Sequence, residues 1–316
     1  MLRLVVRRIL TVIPLMLSVV LFIFLILALS PNNAAIAALG DNASATQIAA
    51  FDRAHGLAHP LVVQYFTYLG HLLHGDMGTT FALGQPVSSI VKSALPITLQ
   101  LTALGVTAAI VIALVLGLVG ALYRGRWPDQ LSRVVSIAGI AMPSFWLAIL
   151  LIQRLSKIGG GPFPAGRYVS FSTSVSQWFL AMTLPALSLA VPVGCALARI
   201  VRTSLVEELD KDYVRTAIGA GLPAHVVIGR NVLRNALVTP LTALGLQIGY
   251  LIGGAVIIEA IFSLPGMGTE MMAAVQQDDV GLARALCITI ALGFIVINLA
   301  VDLIHLALNP RLRSAA

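Results

Sequence analysis

The sequence predicts an all-α transmembrane protein, a single domain over residues 1–316, and two observations support this prediction. Hydrophobic residues make up 58% of the chain and charged residues 10%, and the mean hydropathy is +0.95. In an ordinary soluble domain, charged residues alone form about a quarter of the sequence. The apolar residues are also gathered in long runs, each of a length that can cross a bilayer as a helix.

Six segments qualify as membrane spans, because a helix needs about 20 predominantly apolar residues to cross the hydrocarbon core. They are residues 9–29, 95–123, 134–153, 178–198, 236–258 and 285–308. The first span follows Arg3, Arg7 and Arg8, as a signal peptide would, but its uncharged run of 21 residues is too long. Signal peptides have an apolar region of about 7–15 residues, so we expect a retained first helix.

The distribution of basic residues predicts the topology. With the loop after the first span placed outside, 14 Lys and Arg residues lie inside and six outside. Positive charge favours the cytoplasmic side, so both termini are expected there. Residues 30–92 then form an external segment and residues 199–235 a cytoplasmic loop. The net charge of +7 does not indicate nucleic-acid binding, because the basic residues lie at the ends of apolar runs rather than among aromatic residues.

The cytoplasmic loop is the main polar interruption of the chain. Residues 199–234 hold six of the 20 Lys and Arg residues and four of the 13 Asp and Glu residues. Good helix formers over residues 212–220 predict a short helix that Gly221 ends, and Pro223 suits the first position of a second helix running to Arg234. A functional loop and an ordinary helical connection both fit this pattern.

The external segment is predicted to contain an amphipathic helix that begins with Pro60. Its apolar residues recur at helical spacing up to Gly75, which fits a helix lying on the membrane or on the bundle. His71, His74 and Asp76 follow with a spacing that could suit a metal ion, but we favour their being the polar face of this helix and expect no metal site.

The sequence lacks the residues of an ATPase or a zinc protease. Its only lysines are Lys92, Lys157 and Lys211, and none follows a glycine as the lysine of a phosphate-binding loop does. No HExxH motif is present. Cys195 and Cys287 both fall in predicted spans and make no disulfide framework, so we expect them to be packing residues.

Ionisable residues inside a predicted span are candidates for function, because an unpaired charge in the bilayer is costly. Asp302 and His305 lie one turn apart in the sixth span, and Glu259 lies at the end of the fifth. They could form a proton relay, but we favour structural pairing near the membrane boundary.

The fifth span carries Gly245, Gly249 and Gly253, a stripe of small residues that allows another helix to approach closely. We expect this stripe to pack within the chain. Gln247 and Tyr250 lie on the opposite face of this helix.

The loop resembles the cytoplasmic coupling loop of the membrane subunit of ATP-binding-cassette importers, whose pattern is Glu-Ala-Ala, three residues, then Gly. Arg215, Thr216 and Ala217 match the triplet in spacing and Gly221 matches the glycine, while Arg215 departs from the usual Glu. The phrases DYVRTA, LRNAL, GDMGTTF, PSFWLAILLI, PALSLA, GLQIGYLIGGAVIIEAIFSLPGMG and LNPRLR are similar to the dipeptide and oligopeptide branch. LSPNNA replaces that branch's Leu-Pro-Gly-Asp-Pro, and Asn309 stands where Asp is usual.

The resemblance implies a six-span type I importer permease with a cytoplasmic coupling helix, in the inner membrane of a bacterium. Its partners would be a second permease subunit, two ATP-binding subunits and an external solute-binding protein. The second permease subunit would be a distinct homologous chain. The chain would bind no cofactor, and ATP and magnesium would be used by the ATP-binding subunits. The residues expected to couple to the ATPase are Asp212, Tyr213, Arg215, Thr216, Ala217 and Gly221. The resemblance also makes Gln247 and Tyr250 of the fifth span candidates for lining the translocation path at the junction with the second permease chain.

The expected function is the import of di- or oligopeptides by alternating access. Nickel and glutathione permeases of the same branch share these features, so the cargo stays open. An ion-coupled secondary transporter is a further alternative, although the ionisable residues inside the bundle are few, and composition alone would also allow a membrane scaffold.

Overall fold

The computed structural model describes residues 2–29, 34–40, 42–81, 84–157, 160–164 and 166–308. These residues form helices and no β-strand, two isolated bridges aside. In chain order the helices are α1 (Leu2–Ala28), α2 (Ala34–Leu39), α3 (Ala45–Ala54), α4 (Leu61–Leu73), α5 (Val87–Leu122), α6 (Trp127–Ala141), α7 (Ser144–Leu155), α8 (Val175–Leu209), α9 (Asp212–Gly219), α10 (Ala224–Val226), α11 (Leu233–Ala236), α12 (Val238–Phe262), α13 (Met267–Gln276) and α14 (Val280–Leu308). A π-helical segment, Val227–Val232, joins α10 to α11.

Five of the described helices are long and apolar enough to cross a membrane, namely α1, α5, α8, α12 and α14. The pair α6 and α7 would make a sixth span, but its two helices are bent by 102° at a short break. The all-helical membrane class is therefore confirmed. The prediction of one continuous helix over residues 134–153 is wrong, because the helix is broken between Ala141 and Ser144. The break occurs because a proline disfavours helical backbone angles at the residue before it. Met142, before Pro143, is extended with φ −83° and ψ 116°.

The chain divides into two compact units. The first comprises residues 1–98 and 265–299. Its core is formed by apolar residues of α5, α13 and α14, namely Val87, Val91, Ala94, Met267, Ala274, Leu282, Ala283, Ala285 and Leu286. A second apolar contact in this unit joins α1 to α4, where the ring centroids of Phe24 and Tyr65 lie 5.5 Å apart.

Helix α4 begins where the sequence predicts. Pro60 is its N-cap, and no side chain caps it. His71 Nδ1 lies 3.0 Å from Asp76 Oδ2, while His74 Nδ1 lies 2.8 Å from the carbonyl oxygen of Gly70. The two histidines thus have different partners, and no three His, Cys, Asp or Glu side chains within the described ranges are grouped as metal ligands.

The second unit comprises residues 99–264 and 300–316, described to residue 308, and α8 lies at its centre. Helix α8 contacts α6, α7 and α12, and most of its middle is buried. Small residues allow this packing. A Cβ added to Gly117 would lie 2.5 Å from Val201 Cγ1, and one added to Gly139 would lie 2.3 Å from Cys195 Sγ. Cys195 is buried and Cys287 half-buried, and both are free thiols, as expected of packing residues.

The glycine stripe of α12 packs only in part. A Cβ at Gly245 would lie 2.9 Å from Val301 Cγ1, whereas nothing lies within 4 Å of one at Gly253. The close approach is made instead at Gly254, where an added Cβ would lie 3.1 Å from Leu189 Cδ2. The prediction that the whole stripe packs is therefore wrong at Gly253.

The ionisable residues predicted in the last two spans have separate outcomes. Glu259 is buried, three residues before the end of α12, where the sequence places it. Asp302 and His305 belong to α14, and their side chains lie outside the described part of the structure.

Candidate functional site between α8 and α12

The polar segment between α8 and α12, residues 210–237, folds as a short helix followed by a broken one. Helix α9 begins after Lys211, which is extended with ψ 146°. Asp212 places a carboxylate in the first turn, where it is favoured by the positive end of the helix dipole. The predicted order of helix, glycine break and helix is confirmed.

Gly221 ends α9 by a Schellman motif. Its own N–H donates to the carbonyl of Ile218 at 3.0 Å, and the N–H of Leu222 donates to the carbonyl of Ala217 at 3.2 Å. These two bonds define the motif, which needs a left-handed residue at the position that Gly221 occupies. Gly221 has φ +87°, which a residue with a Cβ adopts only with strain.

The second helix differs from the prediction in two respects. Pro223 is the N-cap and not the first helical residue, and residues 227–232 are π-helical. Because π-helical hydrogen bonds join residues five apart, Val227 and Val232 fall on one face. Both are fully buried, and the segment contacts α9, whose Val214 is also buried.

Glu208, in the last turn of α8, fixes α9 to the rest of the unit. Its Oε1 accepts from the Tyr213 hydroxyl at 2.8 Å and from Asn235 Nδ2 at 3.2 Å, and its Oε2 accepts from Lys211 Nζ at 2.5 Å. Glu208 is only 6% exposed. Burial and the bond to this carboxylate both raise the pKa of the Tyr213 phenol, so the hydroxyl stays a donor. One buried carboxylate thus joins α8, α9 and α11.

A second buried carboxylate joins the start of α6 to α8. Asp129 is 1% exposed and accepts two bonds from Arg202, at 2.7 and 2.9 Å. It also accepts from Arg133 Nη2 at 2.9 Å and from the N–H of Gly125 at 3.0 Å. Near the same end of α8, exposed Arg124 and Asp210 form an ion pair of 2.8 Å. The arrangement holds the α5–α6 turn and the end of α8 together.

The other side of α9 is exposed to solvent. Arg215 and Thr216 are exposed, as is Asp212, and Ala217 is half-buried. Beside them lie exposed apolar residues, with Ile218 46% and Leu222 48% exposed. Helix α9 is thus anchored through Tyr213 and the buried Val214 and exposes basic and apolar side chains to solvent.

Gln247 and Tyr250 lie well away from this loop. Counted from the start of α12 at Val238, they are about 14 and 18 Å along the helix axis. Tyr250 is 59% exposed and Gln247 half-buried. The structure therefore brings Tyr213 of the predicted residues into the anchoring network and leaves these two on a separate surface.

Sequence reasoning did not identify the anchoring residues Glu208, Asn235, Asp129 and Arg202. Glu207 and Glu208 are adjacent, and nothing in the helical pattern says which is buried. A signal does exist for Asp129, since Arg133 follows it by four residues, a spacing typical of an ion pair on a helix.

Comparison with known proteins identifies the family. Residues 105–314 match the model of the binding-protein-dependent transport system inner membrane component, and residues 1–102 match the model of its N-terminal part. The chain is 36% identical over 313 residues to a protein named as a peptide transport system permease of Brucella abortus, covering 99% of each chain. It is also 36% identical over 313 residues to the glutathione transport system permease protein GsiC of Salmonella typhimurium, again covering 99% of each.

Solved structures support the same fold. A chain of the MetNI methionine ABC transporter in an inward-facing conformation has a TM-score of 0.57 at 16% identity, covering 70% of this chain and 96% of that one. An amino acid ABC transporter crystallised with histidines has a TM-score of 0.52 at 18% identity, covering 71% and 94%. Because the two family models together match residues 1–102 and 105–314, the chain belongs to the family of binding-protein-dependent transport system inner membrane components, the non-catalytic permease subunits of ATP-binding-cassette importers.

Proposed function

We propose that this chain forms half of the translocation path of an ATP-driven importer for short peptides. The main support for the proposal is the way α9 is held. Glu208 fixes it to α8 and α11, while its Arg215 and Ile218 are exposed to solvent. The cargo is inferred from relatives named for peptide and glutathione transport, which match the chain over 99% of its length. Glutathione is itself a small peptide, so both names agree with this cargo class.

Family membership means that ATP is hydrolysed by partner subunits and that a binding protein delivers the solute. In our proposal two ATP-binding subunits and a second, distinct permease chain complete the complex. The chain would lie in a bacterial inner membrane with both termini and α9 in the cytoplasm.

The proposed mechanism is alternating access driven through α9. The helix sits in a groove of an ATP-binding subunit and contacts it through Asp212, Arg215, Thr216 and the apolar residues Ile218 and Leu222. Because Glu208 joins α9 to the end of α8 and to α11, which leads into α12, closure of the ATPases moves the attached fourth and fifth spans, α8 and α12. Gln247 and Tyr250, on a surface apart from this loop, are proposed to line the path between the two permease chains.

Mass spectrometry after gentle detergent extraction and affinity purification tests the partners. We expect ATP-binding subunits and a second permease chain to be recovered with this chain. Recovery of the chain alone, under conditions that preserve comparable complexes, would contradict the proposal. Uptake that needs a proton gradient and no ATP would favour a secondary transporter instead.

Replacement of Gly221 tests the coupling role of the loop. Gly221→Val puts a β-branched residue at φ +87°, where a Cβ costs roughly 1–2 kcal/mol, so the exit from α9 should shift. We expect uptake in proteoliposomes to fall severely while membrane insertion is kept. Gly219→Ala is the matched control. Gly219 is the last helical residue of α9, it is not among the positive-φ glycines, and a Cβ added there would meet nothing within 4 Å. Normal uptake by the Gly221 variant would refute the role of α9.

A further inference from the structure

The first unit contains a cavity of about 420 Å³ that the coupling function does not use. Its walls come from the α3–α4 connection, α4, the segment after α4 and the start of α14, and they include His55, Tyr68, Asp76, Phe81 and Arg284. Small-molecule sites are commonly concave pockets of roughly 300–1,000 Å³ with aromatic walls and a few polar groups. The cavity has the size and composition of such a site.

Arg284, in the first turns of α14, is the unusual group in this cavity. Its guanidinium carbon lies 4.9 Å from the ring centroid of Tyr68 and 5.3 Å from that of Phe24. Its Nε is buried and has no hydrogen-bond partner among the described residues, and the buried hydroxyl of Tyr68 also has none. The two aromatic faces attract the cation, but neither supplies an acceptor oxygen.

The acidic residues around the cavity are engaged elsewhere. Asp279 caps α14, accepting from the N–H of Leu282 at 2.9 Å, and accepts from the N–H of Phe81 at 2.7 Å. Asp76 Oδ1 accepts from the N–H of Gly78 at 2.9 Å, and its Oδ2 lies 3.0 Å from His71. No described carboxylate therefore neutralises Arg284.

Arg284 as a whole is half-buried, but a guanidinium whose buried N–H has no acceptor is costly, and replacing it by a neutral residue would remove that cost. Tyr68 lies beside it, and burial raises the pKa of its phenol, so its hydroxyl is a neutral donor. Arg284 and Tyr68 both line the cavity, and each has a donor without a partner among the described residues, which fits an anion with two oxygens, since a carboxylate accepts from both a guanidinium and a hydroxyl.

We propose that this cavity is a solute site in which Arg284 and Tyr68 bind the carboxylate of a short peptide. Asp76 lines the same cavity and its side chain is 58% exposed, so its carboxylate can accept from the ammonium end in addition to His71 and the N–H of Gly78. The peptide identity rests on the proposed function, whereas the carboxylate chemistry rests on the cavity alone.

The test is weak-ligand binding by saturation-transfer difference NMR, with the purified complex in nanodiscs and no ATP. The probes are dialanine and its C-terminal amide. Arg284→Gln should weaken dialanine binding about tenfold and Tyr68→Phe by a few-fold, because each removes a donor to a charged group. Arg284→Lys should restore part of the affinity by keeping the charge.

Arg53→Gln is the matched control, because Arg53 is exposed on α3 of the same unit and does not line the cavity. A thermal melt of each variant tests folding, and Arg284→Gln should melt no lower than the parent, since it removes an uncompensated charge. A melt well below the parent would indicate that Arg284 is a structural residue and would overturn the proposal.

Equal affinity for dialanine and its amide, or unchanged affinity in Arg284→Gln, would overturn the site. Native mass spectrometry distinguishes a peptide carboxylate from a second possible anion, the phosphate of a bound lipid. Phosphatidylglycerol retained by the parent and lost from Arg284→Gln, with no dialanine signal, would assign the cavity to a lipid phosphate and overturn the carboxylate proposal. Dialanine binding is measured without ATP, so a negative binding result would not contradict the proposed coupling through α9. Conversely, failure to recover ATP-binding subunits would contradict the importer proposal but not a positive binding result.

Discussion

Replacement of Glu208 by glutamine tests how α9 is fixed to the membrane helices. Glutamine has nearly the shape of glutamate but offers one acceptor oxygen and an NH₂ group in place of two acceptor oxygens. In the parent, those two oxygens serve Lys211, Tyr213 and Asn235. The variant therefore leaves at least one of these three donors without an acceptor, and it removes the buried negative charge.

The size of the effect follows from the exposure of the partners. Lys211 is 56% exposed, so water replaces its lost acceptor at a cost of about 0–1 kcal/mol. Tyr213 and Asn235 lose bonds to a charged acceptor, which contribute about 1.5–3 kcal/mol each when intact. Both side chains are partly exposed to solvent, so water and the amide oxygen of glutamine together recover much of this. We expect α9 to be held less firmly by about 2 kcal/mol, which is roughly a 30-fold change in the equilibrium between its anchored and released states.

Hydrogen exchange of the complex in nanodiscs measures this change directly. The amides of residues 212–222 should exchange roughly 30-fold faster in Glu208→Gln, since exchange follows local opening. ATP hydrolysis should continue while the amount of peptide imported per ATP falls. Glu207→Gln is the matched control, because Glu207 is its chemically identical neighbour and is exposed.

Unchanged exchange in residues 212–222 would refute the anchoring argument. Faster exchange with normal coupling would show that Glu208 anchors α9 but that this anchor is not needed for transport. A loss of protection spread over the whole second unit would mean that Glu208 stabilises the bundle rather than α9.

Two further predictions concern the packing around α8. Asp129→Asn should lower the free energy of unfolding by about 3–5 kcal/mol, because it leaves Arg202, only 19% exposed, without its carboxylate, whereas Asp210→Asn at an exposed pair should cost about 0–1 kcal/mol. Chemical denaturation in detergent measures both, and equal effects would refute the role of the buried pair. Gly117→Ala should cost about 1–3 kcal/mol, because its Cβ would lie 2.5 Å from a methyl group of Val201, whereas Gly253→Ala should be nearly neutral since nothing lies within 4 Å. Thermal melts compare the two, and similar melting temperatures would contradict the close packing of α5 and α8.

Local features of the chain were predictable because they depend on neighbours in sequence. Gly221 ends α9 as expected, since only a residue free of a Cβ takes φ +87° without strain. Pro60 begins α4 as expected, because a proline is tolerated where a helix starts. The break at Met142 was missed although Pro143 was visible, because the apolar run continues through it and hydropathy does not register a bend.

The membrane class, the helical content and the family could all be predicted from the amino-acid sequence, since apolar run lengths and short motifs carry this information without knowledge of contacts. Tertiary structure alone decided which charges are buried and paired. Glu207 and Glu208 are identical in type and adjacent, yet only Glu208 faces Tyr213 and Asn235, because its direction depends on how α8 packs against α9 and α11. Arg284 is one basic residue among 20 in the sequence, and only the structure shows it against the rings of Phe24 and Tyr68, residues far away in sequence, with a buried Nε that has no hydrogen-bond partner among the described residues.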